Sequence, residues 1–183
     1  MATKIYNKFL KEMVKDSDLF ITRTNDQYYI TNGFIAFQCS NYFYDEIVSL
    51  IHANYIRLNN NETALRRNKH DPMKIEKEVH GIVKLMDNFK SSGNELKNTN
   101  IVFIGNNKQL INIFINTNNN SIMAANKKYI DGALEITNTL YTVSNKNIDP
   151  LIYNDECIKL IILPIKLNGC NFSDSILEIN KCL

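Results

Sequence analysis

The chain has 183 residues, 44% of them hydrophobic and 22% charged, with a formal net charge of +2. These values fit one folded domain and exclude disordered tails, collagen-like repeats and polyanion-coating proteins. Six Gly, three Pro and four Cys exclude a disulfide knot or a low-complexity linker. Residues 3–15 are predicted as a helix, with Ile5, Phe9, Leu10, Met13 and Val14 at helical spacing. Lys4, Lys8, Lys11 and Lys15 fall within about 60° of one another on the opposite face. Asp16-Ser17-Asp18 ends that helix. Leu19–Thr24, Gln27–Thr31 and Phe34–Gln38 read as strands, with Asn25-Asp26 as the first turn and Asn32-Gly33 as a type I′ turn. Asn41–Ile56 reads as a buried helix with Asn41 as N-cap.

Residues 57–72 are polar and irregular in pattern, ending in Asp71-Pro72. Met73–Phe89 is predicted as one long helix. Ile75, Val79, Ile82, Met86 and Phe89 hold a 4-3-4-3 seam on it, which serves either a sheet face or a homodimer contact. From Thr99 to Leu167 the pattern alternates like β structure. Strands are expected at Ile101–Gly105, Gln109–Asn116, Ser121–Ala125, Glu135–Ser144, Leu151–Tyr153 and Cys157–Leu167, with a short helix at Asn126–Leu134. Turns are expected at Asn106-Asn107 and Asn118-Asn119-Asn120. The last strand is the most apolar, and Pro164 places its end at an edge or bulge. Residues 168–183 carry at most one short terminal helix.

The pattern Asn-x-x-Tyr follows a hairpin region twice, at Asn41–Tyr44 and at Asn126–Tyr129. It marks two pseudo-repeated β-rich halves, since one such half cannot bury its own sheet face. The expected fold class is therefore α+β, an antiparallel sheet with about four helices. The expected organisation is a single domain over 1–183 with a loop-plus-helix insert at about 57–98.

The N-terminus lacks the apolar core of a signal peptide, and no window reaches the roughly 18 apolar residues of a membrane span. The chain is therefore expected in the cytoplasm, without a membrane partner. Cys39, Cys157, Cys170 and Cys182 show no ligand spacing with one another or with His52, His70 or His80, so no metal site is expected. Phosphate-binding Gly loops, nucleophile elbows and zinc-peptidase helices are missing as well. No enzyme, catalytic residue or cofactor is expected. The chemistry-bearing residues are basic: the stripe Lys4, Lys8, Lys11 and Lys15, and the cluster Arg57, Arg66, Arg67 and Lys69 with His70. Only Glu62 opposes that cluster between positions 57 and 70. Lysine rows and forked guanidinium groups suit phosphates or a partner's carboxylates.

Asp149-Pro-Leu-Ile-Tyr153, Asp155 and Leu160-Ile-Ile-Leu-Pro164-Ile-Lys166 resemble the closing strands of a bacterial sliding-clamp domain, the DNA polymerase III beta family. Tyr29-Ile-Thr-Asn-Gly33-Phe-Ile-Ala-Phe37, followed by Tyr44-Asp45, is similar to small clamp-like proteins of phages and mobile elements. The resemblance covers about 70 residues in two patches and implies a clamp-like sheet. Full clamp subunits have three such domains, so ring closure does not transfer. Gln109-Leu-Ile-Asn-Ile-Phe114 resembles the short peptides with which partners dock on clamps, but inside a predicted strand. The 28 Asn and 25 Ile point to an AT-rich coding genome, which suits a phage or mobile element. Two non-enzymatic functions follow as expectations. One is an inhibitor of a host nucleoprotein, such as an anti-CRISPR protein acting on an effector nuclease, with protein, DNA or RNA as partner. The other, kept as the alternative to that main reading, is a clamp-like accessory protein that binds DNA or the replication machinery.

Overall fold

The computed structural model describes residues 13, 15, 18–41, 44–45, 57–68, 70–89, 93–105, 108–134, 137, 139–142, 149–154 and 158–167. The chain divides into two compact units, one of residues 1–90 and 153–161, the other of residues 91–152 and 162–183.

The first unit begins with a meander of three antiparallel strands: β1 Leu19–Thr24, β2 Gln27–Thr31 and β3 Ile35–Ser40. The β1–β2 turn is Asn25-Asp26, both at positive φ (49° and 58°), as a type I′ turn requires. The β2–β3 connection differs from expectation. Only Gly33 has positive φ, at 86°, so Asn32-Gly33 is not a type I′ turn. Asn32 closes the connection with its side chain instead, its Oδ1 accepting the N–H groups of Phe34 and Ile35, each at 3.0 Å. Asn side chains compete well for local backbone donors, and that alternative wins here.

After β3, Asn41, Tyr44 and Asp45 are helical, and the Tyr44 ring stacks on Tyr28 at 3.6 Å. β4, Glu62–Arg66, returns antiparallel beside β1, and β5, Lys74–Glu76, pairs on β4. β11, Ile158–Ile162, follows β3 in the strand order. Helix α1, Ile82–Asn88, buries Ile82, Val83 and Met86 against β2 and β3. The Lys159 ammonium donates to the Met86 carbonyl in its last turn, where a cation offsets the helix dipole.

The second unit repeats this plan. β6 Asn94–Ile104, β7 Leu110–Asn116 and β8 Ile122–Asn126 form an antiparallel meander. Helix α2, Lys127–Leu134, follows directly. β9 Leu140–Thr142 then pairs with β6, and β10 Leu151–Asn154 with β9. The strand orders are β5-β4-β1-β2-β3 and β10-β9-β6-β7-β8, the same arrangement twice. Asn41 directly follows the third strand of the first unit and Asn126 ends that of the second, and Tyr44 and Tyr129 are both buried. Asn126 caps α2, its Oδ1 accepting the Lys128 N–H at 3.0 Å. One face of the β7–β8 ladder holds a buried cluster of Ile111, Ile113, Ile115, Ile122 and Ala124, with Ile101, Phe103, Ile165 and Leu167 against it. Each such isoleucine contributes about 1.5–3 kcal/mol by leaving water. The other face of this ladder carries Phe114 and Met123, and α2 lies against both strands. β6 carries a bulge between Asn98 and Val102, where Asn100 takes positive φ. The buried Thr99 hydroxyl donates there to the Ile113 carbonyl at 2.9 Å.

Several expectations are corrected. The structure is antiparallel sheet with eleven strands and two helices among the described residues, not a sheet with about four helices. Residues 73–89 are not one helix. Lys74–Glu76 is strand, residues 77–81 are irregular, and only Ile82–Asn88 is helical. β4 offers 74–76 a ladder that outweighs the helical spacing. Residues 57–72, read as irregular, contain β4. Residues 57–98 supply β4, β5, α1 and the start of β6. Within 135–144, Leu140–Thr142 is strand among the described residues. β11 ends at Ile162, two residues before Pro164, and the Ile165 N–H then donates to Ala124 at 2.7 Å. The helices expected at 3–15, 41–56 and 168–183 lie largely or wholly outside the described residues, as does Asn106-Asn107.

Candidate nucleic-acid interface

Strand β4 separates the predicted basic cluster. Arg57 is exposed and precedes the Asn59–Asn61 turn that leads into β4. Arg66 ends β4 and Arg67 follows it. Four residue rises of about 3.4 Å lie between the two ends of that strand. Arg66 is half-buried and Arg67 exposed at one end of the strand, and Arg57 lies at the other. Glu62, the acid expected to oppose them, is engaged locally. Its two carboxylate oxygens accept the backbone and side-chain amides of Asn59, at 2.8 and 3.1 Å. Those bonds hold its carboxyl below the usual range.

The Arg67 end is built on an aromatic base. The Arg67 guanidinium carbon lies 5.8 Å from the centroid of the Phe20 ring, within cation–π reach. The His80 imidazole stacks on the same ring at 4.4 Å. β1 and β4 set this up. Phe20 is directly opposite Leu65, and Arg67 continues the chain just past β4. Two hydrogen bonds hold His80, one at its backbone and one at its ring. Its backbone N–H donates to the Thr22 hydroxyl at 3.4 Å. Thr22 and Thr63 hydroxyls are bonded at 2.6 Å, and the Thr63 hydroxyl donates to the Glu78 carbonyl at 2.5 Å. The His80 Nδ1 accepts the Ile82 N–H at 3.2 Å, at the start of α1. Burial lowers the His80 pKa, the Arg67 charge lowers it further, and Glu78 partly offsets both. A neutral ring is the form that can accept at Nδ1.

Arg67 is therefore a cation presented at a strand end, with Arg66 beside it in sequence. Such a pair suits phosphate oxygens or carboxylates. Phe20 and His80 were not singled out from the sequence. Phe20 lies in a strand pattern, and a lone histidine carries no motif, so only the β1–β4 pairing reveals them. Lys15 is exposed. Lys4, Lys8, Lys11 and Lys69 lie outside the described residues.

The remaining candidates fall elsewhere. Ile75 and Val79 are exposed, at 55% and 37%, whereas Ile82 and Met86 are buried on α1 and Phe89 caps its end. The five do not share a helix face. The Gln109–Phe114 peptide lies mostly in β7, with Ile111 and Phe114 buried, so it is not a free docking peptide. Cys39 is buried, and burial pushes its thiol far above the usual range, away from thiolate chemistry. No group of three or more His, Cys, Asp or Glu among the described residues is placed to hold a metal ion. No helix among them is long and apolar enough to cross a membrane.

No family model matches the chain, and no curated protein matches it in sequence. Solved structures show a distant similarity. The chain is similar to the DNA polymerase III beta subunit of Thermotoga maritima, at 10% identity and a TM-score of 0.42, over 90% of this chain and 64% of that one. It is similar to the DNA polymerase sliding clamp of Pseudomonas aeruginosa, at 8% identity and a TM-score of 0.48, over 91% and 64%. It is also similar to the Helicobacter pylori beta clamp bound to a DNA ligase peptide, at 9% identity and a TM-score of 0.39, over 94% and 67%. The chain thus spans 64% of the length of the Thermotoga and Pseudomonas subunits.

Proposed function

We propose that this chain is a non-enzymatic accessory protein that binds DNA or the replication machinery. The observation that carries the reading is Arg67, held over Phe20 at 5.8 Å with Arg66 preceding it at the end of β4. A guanidinium already positioned on a ring loses less side-chain freedom when it meets a phosphate than a free surface lysine does. The partner class comes from the sliding-clamp resemblance of residues 29–45 and 149–166. Inhibition of a host CRISPR effector, the main reading of the sequence, rests on composition, the basic patches and the lack of catalytic motifs, and no similarity supports it.

Affinity capture from a bacterial lysate, with and without nuclease, tests this directly. The proposal expects DNA and replication proteins in the capture, with the DNA-bridged share lost on nuclease treatment. Nuclease-resistant capture of a CRISPR effector, without replication proteins, contradicts it and favours the inhibitor reading.

A further inference from the structure

β5 is an edge strand. It pairs with β4 on one side, Thr63↔Glu76, Ala64↔Ile75 and Leu65↔Lys74, and ends the strand order of the first unit. All three of its residues are exposed. Such an edge offers its free N–H and C=O groups to another strand. Here it also offers an exposed isoleucine at its centre.

The residues of β5 are self-complementary. Consider a second β5 laid antiparallel about a two-fold axis through Ile75. Lys74 then faces Glu76 of the second copy, Glu76 faces Lys74 of the second copy, and the two Ile75 residues face each other. Strand alternation puts both charged pairs on one face and the isoleucines on the other. Directly opposed residues have Cβ atoms about 4.5–5.5 Å apart, whereas the like-charged diagonal neighbours are about 7–8 Å apart. Attraction therefore prevails over repulsion. The register is specified as well. A two-residue slip sets Lys74 against Lys74 or Glu76 against Glu76, and a one-residue slip sets a charge against Ile75.

We infer that β5 is a self-association edge through which two copies of the chain pair. The contact is isologous, so it closes at two copies. Three residues a side is far below the roughly 800 Å² per partner of a stable interface, so the dimer is transient and depends on concentration. The inference does not rest on the nucleic-acid reading.

Charge reversal tests it on the full chain. Lys74→Glu and Glu76→Lys are both exposed changes, and circular dichroism of each variant checks that it is folded. In sedimentation velocity up to millimolar concentration, the wild type is expected to show a concentration-dependent dimer. Each single variant sets like charges opposite one another and shifts dimerisation to about tenfold higher concentration. An equimolar mixture of the two variants restores it, because each Glu then meets a Lys, and so does the double swap Lys74→Glu/Glu76→Lys. A wild type that stays monomeric throughout overturns the inference. So do single variants that associate like the wild type, or a mixture and a double swap that fail to recover.

Discussion

Phe20 carries two different ring contacts, the Arg67 guanidinium at 5.8 Å and the His80 imidazole at 4.4 Å. The second is sensitive to pH. The His80 pKa lies below its ordinary 6.5 because of burial first and Arg67 second. As pH falls through 6.5 the unfolded chain takes up the proton before the folded chain does. Stability from this group therefore falls with falling pH and levels off below the folded pKa. His80→Gln is expected to reduce the stability difference between pH 7.5 and pH 5.5, measured by urea denaturation; an undiminished difference assigns the slope to other groups. Gly33 presents a simpler case. A Cβ there would meet nothing within 4 Å, so crowding is not at issue. Its φ of 86° is. Gly33→Val is expected to cost about 1–2 kcal/mol through backbone strain alone, seen as a lower Tm. An unchanged Tm means that the β2–β3 connection relaxes freely.

Elements announced by local signals were legible in the sequence. Asn126 is an N-cap by residue type, and α2 begins one residue after it. Asn126→Ala should therefore cost about 1 kcal/mol in urea denaturation, with Asn126→Asp close to the wild type. The β7–β8 hairpin was legible for a similar reason, since Asn118-Asn119-Asn120 separates two apolar runs and Asn120 does take positive φ. Two elements were not legible. Glu62-Thr-Ala-Leu-Arg66 lacks a strand pattern, and it is a strand because β1 supplies the ladder. Lys74-Ile-Glu76 belongs to a helical spacing, yet it pairs with β4. Both depend on partners distant in sequence, which periodicity does not register. The β1–β2 and β2–β3 turns show the same limit at closer range. Asn25-Asp26 and Asn32-Gly33 both read as turns, but only the first takes two positive φ values.

At the scale of the whole chain, the repeated Asn-x-x-Tyr was a true marker, since it falls at the end of the third strand of both units. The candidate site was legible only in part. Arg66 and Arg67 stood out by charge, but the ring under Arg67 and the separation of Arg57 along β4 came from strand pairing. In the proposed function these two arginines hold phosphate. Titration of labelled duplex DNA with the full chain and with Arg66→Ala/Arg67→Ala, at several salt concentrations, tests it most directly. The Arg67–Phe20 contact is worth about 0.5–1 kcal/mol and Arg66 is half-buried, so circular dichroism first checks that the double variant is folded. The wild type should bind with log affinity falling linearly in log salt, and the double variant should bind more weakly, its slope shallower by about 1.8 for two lost phosphate contacts. Equal affinity and equal slope for the two proteins, or no binding by the wild type at low salt, would contradict the claim.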